Sequence, residues 1–467
     1  MNHSNKIYSL LEKSVTTYPD NQFYTDHMGN TLTYKSFMEN VLDKQELLIG
    51  LGIHEGENIV IIDSNTLNII ELIFATWSLG ATATILNPEL IKSDQVKLCE
   101  QLNPKVVFYE NDFRVLPTSY NLKTQYPDSC LITFSSGTSS NPKGIIHSEN
   151  GLIYNSEQIA GYLNLTQKDR CLLTKSLHHV AAITSSLIPV LIKGASLHTT
   201  DKNIVNMLQS ITSKKITYID AVSTVVKYMS HFIKSSKLDL YLEKISINGE
   251  HLTVDEWLTI KEVFNKAKIY YSYGLSEAGP RVSCLSEEDF NSKRGSVGKP
   301  LRGVSIKINR LKQEKIGEIF VKSPSVMLGY FNKEKKTKDA IVNSWLRTGD
   351  VGYLDDGYLY VLGRKDDMII RAGQNIFPNE IEEKIKSIPS VQDCIVYGEP
   401  DSLNGNTITA VIWIKNPLEK EGVINLCKQS LPKYMVPNKF IFHDGVRDDF
   451  EKINRNRYKE ISYYETN

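Results

Sequence analysis

The stretch NIVIIDSNTLNIIELIFATWSLG, residues 58–80, sets the pattern for most of the chain. Its opening NIVIID, 58–63, is a short apolar run that reads as a buried strand. LNIIELIFATWSLG, 67–80, spaces its apolar residues as a helix does. Further strand candidates follow at KVVFY (105–109), LITFS (131–135), ITYID (216–220), KISIN (244–248) and KIYYSYG (268–274). Longer amphipathic stretches separate them. Strands alternating with helices predict an α/β fold built in layers.

The texture changes past residue 295. GSVGKPLRGVSIKI, GEIFVKSPSVMLGY and VGYLDDGYLYVLGR are strand-rich, and Asp356-Gly357 is a good two-residue hairpin turn between alternating Tyr, Leu and Val. A β-rich subdomain is expected here. From Asp367 strand and helix mix again, as MIIRAG and then FPNEIEEKIKSI, with Pro378 marking the helix start. The expected organisation is a large N-terminal domain of α/β layers with a β-rich subdomain, residues 1–365, and a small mobile α+β lid, 366–467. A chain of 467 residues is too long for one ordinary core, which agrees with two or more domains.

Composition excludes some roles. Lys plus Arg and Asp plus Glu number 54 each, so net charge offers no argument for nucleic acid or an anionic membrane. The N-terminal MNHSNKIYSLLEKS lacks the apolar core of a signal peptide, and the longest apolar runs, such as LIPVLI at 187–192, are too short to span a bilayer. The six cysteines are far apart without a CxxC pair, and read as reduced thiols of a cytoplasmic protein with no zinc site.

SSGTSSNPKG, 135–144, follows a predicted strand. Small Ser, Thr and Gly residues let backbone N–H groups and hydroxyls crowd around phosphate oxygens, and Lys143 adds positive charge. Alone, the loop reads either as a phosphate cradle or as a Gly/Ser surface turn. It is not a Walker A loop, which would need glycine at Pro142 and Ser or Thr at Gly144.

In company, this loop resembles the phosphate loop of the adenylate-forming superfamily: acyl-CoA synthetases, luciferases and nonribosomal peptide adenylation domains. That family commonly has [ST]SGTTGxPKG; Gly137, Thr138, Pro142, Lys143 and Gly144 match, while Ser140 replaces a glycine. Further blocks follow in the family's order. YSYGLSEAG, 271–279, is similar to YGxTE, and NGEHL, 248–252, to GGxxL. WLRTGDVGYLDDGYLYVLGRKDD, 345–367, resembles the longest block, and MIIRAGQNIFPNEIE, 368–382, the swinging loop. EKINRNRY, 451–458, resembles GKxxR, with Glu451 where glycine is usual. The resemblance covers residues from about 20 to 460.

The resemblance implies ATP- and Mg2+-dependent conversion of a carboxylic acid to its acyl-adenylate, then transfer to a thiol. ATP and AMP would meet Ser135, Ser136, Gly137, Thr138, Ser139, Lys143, Asn248, Gly249, Glu250, Tyr271, Tyr273, Gly274, Ser276, Asp350 and Arg364. Glu277 and Thr138 would hold magnesium, and a carboxylate suits a hard cation that prefers oxygen. Asp350 would accept from the ribose hydroxyls. Lys452, with Lys143, Glu277 and Thr138, would be catalytic, its charge placed where two anions meet. Asp366 would be the hinge, and Gly373 would leave room for a pantetheine arm. For Tyr270, Tyr271 and Tyr273 strand-end packing stands as the alternative.

SLHHVAAI, 176–183, resembles the family's [PS]LxHxxG segment, and the acid pocket is expected at His179, Val180, Ala182, Ile183, Asn248, Gly249 and Ala278. His178 and His179 are expected to point apart, a poor metal pair. No acidic residue occurs between Lys175 and Asp201, so nothing there pairs with an ammonium and an α-amino acid is disfavoured. A fatty or an aryl acid fits the small apolar lining. Coenzyme A is the expected acceptor, with a carrier-protein phosphopantetheine as the alternative. A nucleotide-binding relative with weakened catalysis is a further alternative, which Ser140 and Glu451 motivate.

Overall fold

The computed structural model describes residues 6–110, 112–117, 122, 125–134, 142–201, 203–236, 240–310, 315–401, 405–414, 419–445, 455 and 458. Two large sheets carry the N-terminal part. In the first, of seven strands, Asn58–Ile62 lies between Thr82–Ile85 and Val106–Tyr109, all parallel, and Thr82–Ile85 continues to Ser129–Phe134. Every residue of Asn58–Ile62 is buried, as its unbroken apolar run requires. The helix that follows, Thr66–Ser78, starts where Asn65 Oδ1 accepts from the N–H groups of Leu67 at 3.1 Å and Asn68 at 3.3 Å.

The second sheet has nine strands. Its parallel centre runs Ser196–His198, Arg170–Leu172, Tyr218–Val222, Lys244–Asn248, Lys268–Tyr273. The strand expected at ITYID, 216–220, lies two residues later, at Tyr218–Val222, and the one expected at LITFS, 131–135, starts two residues earlier, as Ser129–Phe134. The first of these shifts sets Val222 beside Asn248, and Asn248 beside Ser272, at the carboxyl ends of three strands.

Five further strands form an antiparallel sheet, with the long hairpin Trp345–Asp355 and Tyr358–Arg364 at one side. Asp356 and Gly357 turn it at φ of 50° and 76°, the left-handed pair that a tight hairpin demands. Beyond it, Val391–Asp401, Gly405–Ile414 and Lys439–Asp444 make a three-stranded sheet. The helix Pro378–Lys386, with Pro378 in its first turn, packs on it and shares a core that includes Ile369, Ile381, Val396 and Ile412. The architecture is the expected one: α/β layers with a β-rich sheet, then a smaller α+β part.

Candidate active site

The strand Gly144–Ser148 fixes one wall. It is buried along its length, and Gly144 is tightly packed: a Cβ would lie 3.2 Å from Phe331 Cβ and 3.3 Å from Ile132 Cγ2, so its neighbours would have to give. On its outer edge Gly329 pairs with Ile146 and Tyr330 with Ile145. This brings the Tyr330 ring under Lys143, with Nζ 5.1 Å from the ring centroid. The Tyr330 hydroxyl donates to Glu277 Oε1 at 3.0 Å, and the Met327 N–H holds the Glu277 carbonyl at 2.9 Å. Burial, then the Glu277 charge, pushes the Tyr330 phenol well up, so it stays a donor. Tyr330 thus joins two residues singled out in the sequence, and sequence reading had missed it.

Glu277 sits on the short helical turn Ser276–Ala278 after the strand Lys268–Tyr273. It is half-buried, and no described residue donates to its Oε2. Among the described residues no three His, Cys, Asp or Glu side chains converge as a metal cage. One carboxylate oxygen that no described residue donates to suits a magnesium ion that takes its other oxygens from phosphates and water. The turn needs Gly274, because a Cβ there would lie 1.6 Å from the Pro280 carbonyl oxygen.

The hairpin supplies a second group of residues. Asp350 is 8% exposed and pairs in register with Arg364. Arg364 Nε lies 3.5 Å from Asp350 Oδ1, and the Tyr273 hydroxyl donates to Oδ2 at 2.5 Å. Burial, then the Asp350 charge, drives the Tyr273 phenol far above its ordinary value. Gly349, at φ 74°, gives Arg364 its room: a Cβ there would lie 3.2 Å from Nη2. Tyr273, four residues before Glu277, thus meets Asp350 and Arg364 from a segment distant in sequence.

Other predicted residues fall elsewhere. Tyr271 is buried, and its hydroxyl accepts from Leu252 N–H and donates to the Glu250 carbonyl, so it braces the 249–252 turn. Tyr270 packs on Tyr162 with ring centroids 5.6 Å apart. Glu250 receives the Thr224 hydroxyl, and Gly249 is exposed at φ 95°. Val180, Ala182, Ile183 and Ala278 are buried, while His179 is exposed. His178 and His179 do not point apart: their rings lie 4.2 Å from centroid to centroid, because the chain turns there and is not extended. Asp366 is exposed in the link after the hairpin. Gly373 joins Ile369–Arg371 to Gln374–Ile376 at φ 78° with open space around it, so backbone conformation calls for glycine here rather than crowding. Ser135, Ser136, Gly137, Thr138, Ser139, Ser140, Glu451 and Lys452 lie outside the described residues.

Behind Asn248 is a cluster that sequence reading did not find. Asp220 has no exposed side-chain surface and receives Lys175, Arg281 Nη2 at 2.8 Å and Asn248 Nδ2 at 2.9 Å. Lys175 also donates to Asn248 Oδ1 at 2.9 Å. Burial alone would raise the Asp220 carboxyl, but Arg281 and Lys175 hold it below its ordinary value. Lys175 is pushed down to about 8, by burial first; attraction to Asp220 offsets only part of this.

The model for AMP-binding enzymes matches residues 11–331, and the one for their C-terminal domain matches 380–448. This chain belongs to the AMP-binding enzyme family. Its relatives include 2-succinylbenzoate–CoA ligases of Bacillus velezensis, 29% identical with 88% of this chain and 89% of that one covered, and of Bacillus subtilis, 28% identical with 92% and 93% covered. The o-succinylbenzoate CoA synthetase of Bacillus subtilis, solved with the acyl-adenylate intermediate OSB-AMP, superposes with a TM-score of 0.84 at 26% identity, over 96% of this chain and 97% of that one. The same enzyme with ATP and magnesium ion gives 0.84 at 26% identity, over 96% and 99%. This AMP-binding enzyme is an AMP-forming acid–CoA ligase that uses ATP, magnesium and coenzyme A. Among its described residues no helix is long and apolar enough to cross a membrane.

The contact made by Tyr330 is testable. Tyr330→Phe keeps the ring under Lys143 and removes the donor to Glu277. A hydrogen bond to a charged group is worth about 1.5–3 kcal/mol, so pyrophosphate exchange should fall by roughly 10-fold or more. An unchanged rate across a magnesium titration would show that the Glu277 carboxylate needs no such support.

Proposed function

We propose that this enzyme activates an aryl acid of the 2-succinylbenzoate kind and transfers it to coenzyme A in the cytoplasm. One observation carries the reading. Glu277 with Tyr330 and Lys143 forms one wall and Tyr273 with Asp350 and Arg364 another, and Tyr273 and Glu277 stand at the carboxyl end of a strand of the parallel sheet, where α/β folds bind nucleotides. In this reading Asp350 accepts from the ribose hydroxyls, Tyr273 lies by the base, and Lys143 with the 135–141 loop and Thr138 holds phosphates. Bound at Glu277, magnesium supplies Lewis-acid polarisation of the phosphates.

The acid's carboxylate attacks the α-phosphorus. The bond to the β-phosphate oxygen breaks, and pyrophosphate leaves. Lys452 offsets the charge where the two anions meet. The thiolate of coenzyme A then attacks the acyl carbon, and AMP leaves with the bonding pair. Splitting the reaction replaces a poor leaving group, oxide, with a good one, AMP. Between the steps, residues 366–467 turn about Asp366 and bring the Gly373 hairpin to the site. The aryl choice rests on the full-length likeness to 2-succinylbenzoate ligases.

The test is AMP release and thioester formation with 2-succinylbenzoate, other aryl acids and fatty acids. Turnover with 2-succinylbenzoate at least about 100-fold above the fatty acids is expected, since a matched polar group discriminates by that much or more. Turnover confined to fatty acids would overturn the aryl reading and leave the ligase standing.

A further inference from the structure

The cluster behind Asn248 has an unbalanced charge. Lys175 and Arg281 are cationic and Asp220 is the anion that meets both. The next acid on this side, Asp169, is taken by Lys244 at 2.5 Å. The remaining titratable neighbours are Cys171, Tyr162, Tyr218 and Cys284, and burial pushes all four upward, so they stay neutral. One positive charge is left over among buried groups. An uncompensated buried charge is expensive, and proteins seldom keep one that serves only packing.

The donors are in surplus as well. Lys175 has three, and Asp220 and Asn248 occupy two. Arg281 is 3% exposed, and its Nε–H, which can only donate, has no acceptor. A site short of acceptors and one negative charge is complementary to an anion.

Its position makes that anion part of the substrate. Asp220, Ser246 and Tyr270 form one row across three adjacent parallel strands; Val222, Asn248 and Ser272 form the next row, on the same face and nearer the carboxyl ends. One residue beyond Ser272 is Tyr273, which carries the Asp350 contact. Lys175 immediately precedes the 176–183 segment, and Arg281 follows Ala278 by three residues. Lys175 keeps 11% of its side-chain surface open, so it is the group a ligand meets first.

We propose that Lys175 and Arg281 receive a second acidic group of the substrate, remote from the carboxylate that is activated, so that the enzyme selects dicarboxylic over monocarboxylic acids. The inference rests on the acid–CoA ligase reading and narrows its substrate class. It also gives a direction with pH. Lys175 must be charged to hold an anion and loses its proton from about 8 upward, so KM for a diacid should climb above that pH while KM for a monoacid should not.

The test uses the whole enzyme with ATP, magnesium and coenzyme A. Its substrates are 2-succinylbenzoate, the two monoacids that each lack one of its carboxylates, and glutarate with butyrate as a second pair. For the wild type, kcat/KM should favour the better diacid over its monoacids by at least about 100-fold, since unpaired buried groups reject the truncated analogue. Lys175→Gln should remove most of that preference, raising KM for the diacid at least about 10-fold more than KM for its monoacids; Lys175→Arg should restore part of it. Monoacids used as well as diacids by the wild type would overturn the inference while leaving the ligase reading intact. Equal losses for both classes in Lys175→Gln would also overturn it, reducing Lys175 to a packing role. Failure of every acid to release AMP would instead sink the ligase reading beneath it. The wild-type comparison needs no variant, so a Lys175→Gln protein that fails to fold does not leave the question open.

Discussion

Glu277→Gln should lower acyl-adenylate formation by about 10^3-fold, the scale of losing a group that stabilises charge in the transition state. The substitution is chosen for what it leaves in place. Glutamine keeps an oxygen where the Tyr330 hydroxyl donates at 3.0 Å, so that contact survives. The Met327 N–H to Glu277 carbonyl bond belongs to the backbone and is untouched. What disappears is the negative charge. A divalent cation binds a carboxylate far better than a neutral amide, and Tyr330 and Lys143 offer no replacement anion. Pyrophosphate exchange measures the step directly. Transfer from a pre-made adenylate to coenzyme A should fall much less, because pyrophosphate has already gone. Exchange within about tenfold of wild type would show that Glu277 does not carry the metal.

The parts of this molecule that could be read from sequence are those whose cause is local. The hairpin at Asp356-Gly357 was visible because two left-handed residues are needed there and few pairs supply them. The start of the helix Pro378–Lys386 was visible because proline fits only its first turn. The strands Arg170–Leu172 and Ser196–His198 were not legible, since three residues hold no period. The site divides the same way. Asp350 and Arg364 lie in one hairpin and were both found. Tyr330 meets Glu277 across 53 residues, through a two-residue strand whose sequence announces nothing. Asp220 joins Lys175 across 45 residues and Arg281 across 61, so the pocket's charge could not be seen in the 175–201 window. Between Lys175 and Asp201 there is no acid; the acid comes from the strand Tyr218–Val222.

Lys452→Ala should separate the two half-reactions. Adenylate formation should fall by about 10^3-fold, because the attack of a carboxylate on a phosphate brings two anions together and a placed cation stabilises that approach. Thioester formation from a pre-made adenylate should stay within about threefold, since a neutral acyl carbon is attacked and, in the proposed cycle, Lys452 would have turned away with residues 366–467. Arg455, three residues along, is itself held by acids and an amide. Its Nη2 meets the buried Glu382 at 2.8 and 2.9 Å and Asn379 Oδ1 at 2.8 Å, and its Nη1 reaches Asp367, next to the proposed hinge, at 3.3 Å. Burial opposes the guanidinium charge, but Glu382 and Asp367 more than offset it, so Arg455 remains a fixed cationic anchor. Arg455→Ala should therefore slow adenylate formation as well, by less than Lys452→Ala, through loss of position rather than loss of the reacting charge. Rapid-quench measurement of each step, with 2-succinylbenzoyl adenylate supplied for the second, separates these outcomes. Equal losses in both steps for Lys452→Ala would remove the lysine from the charge-stabilising role.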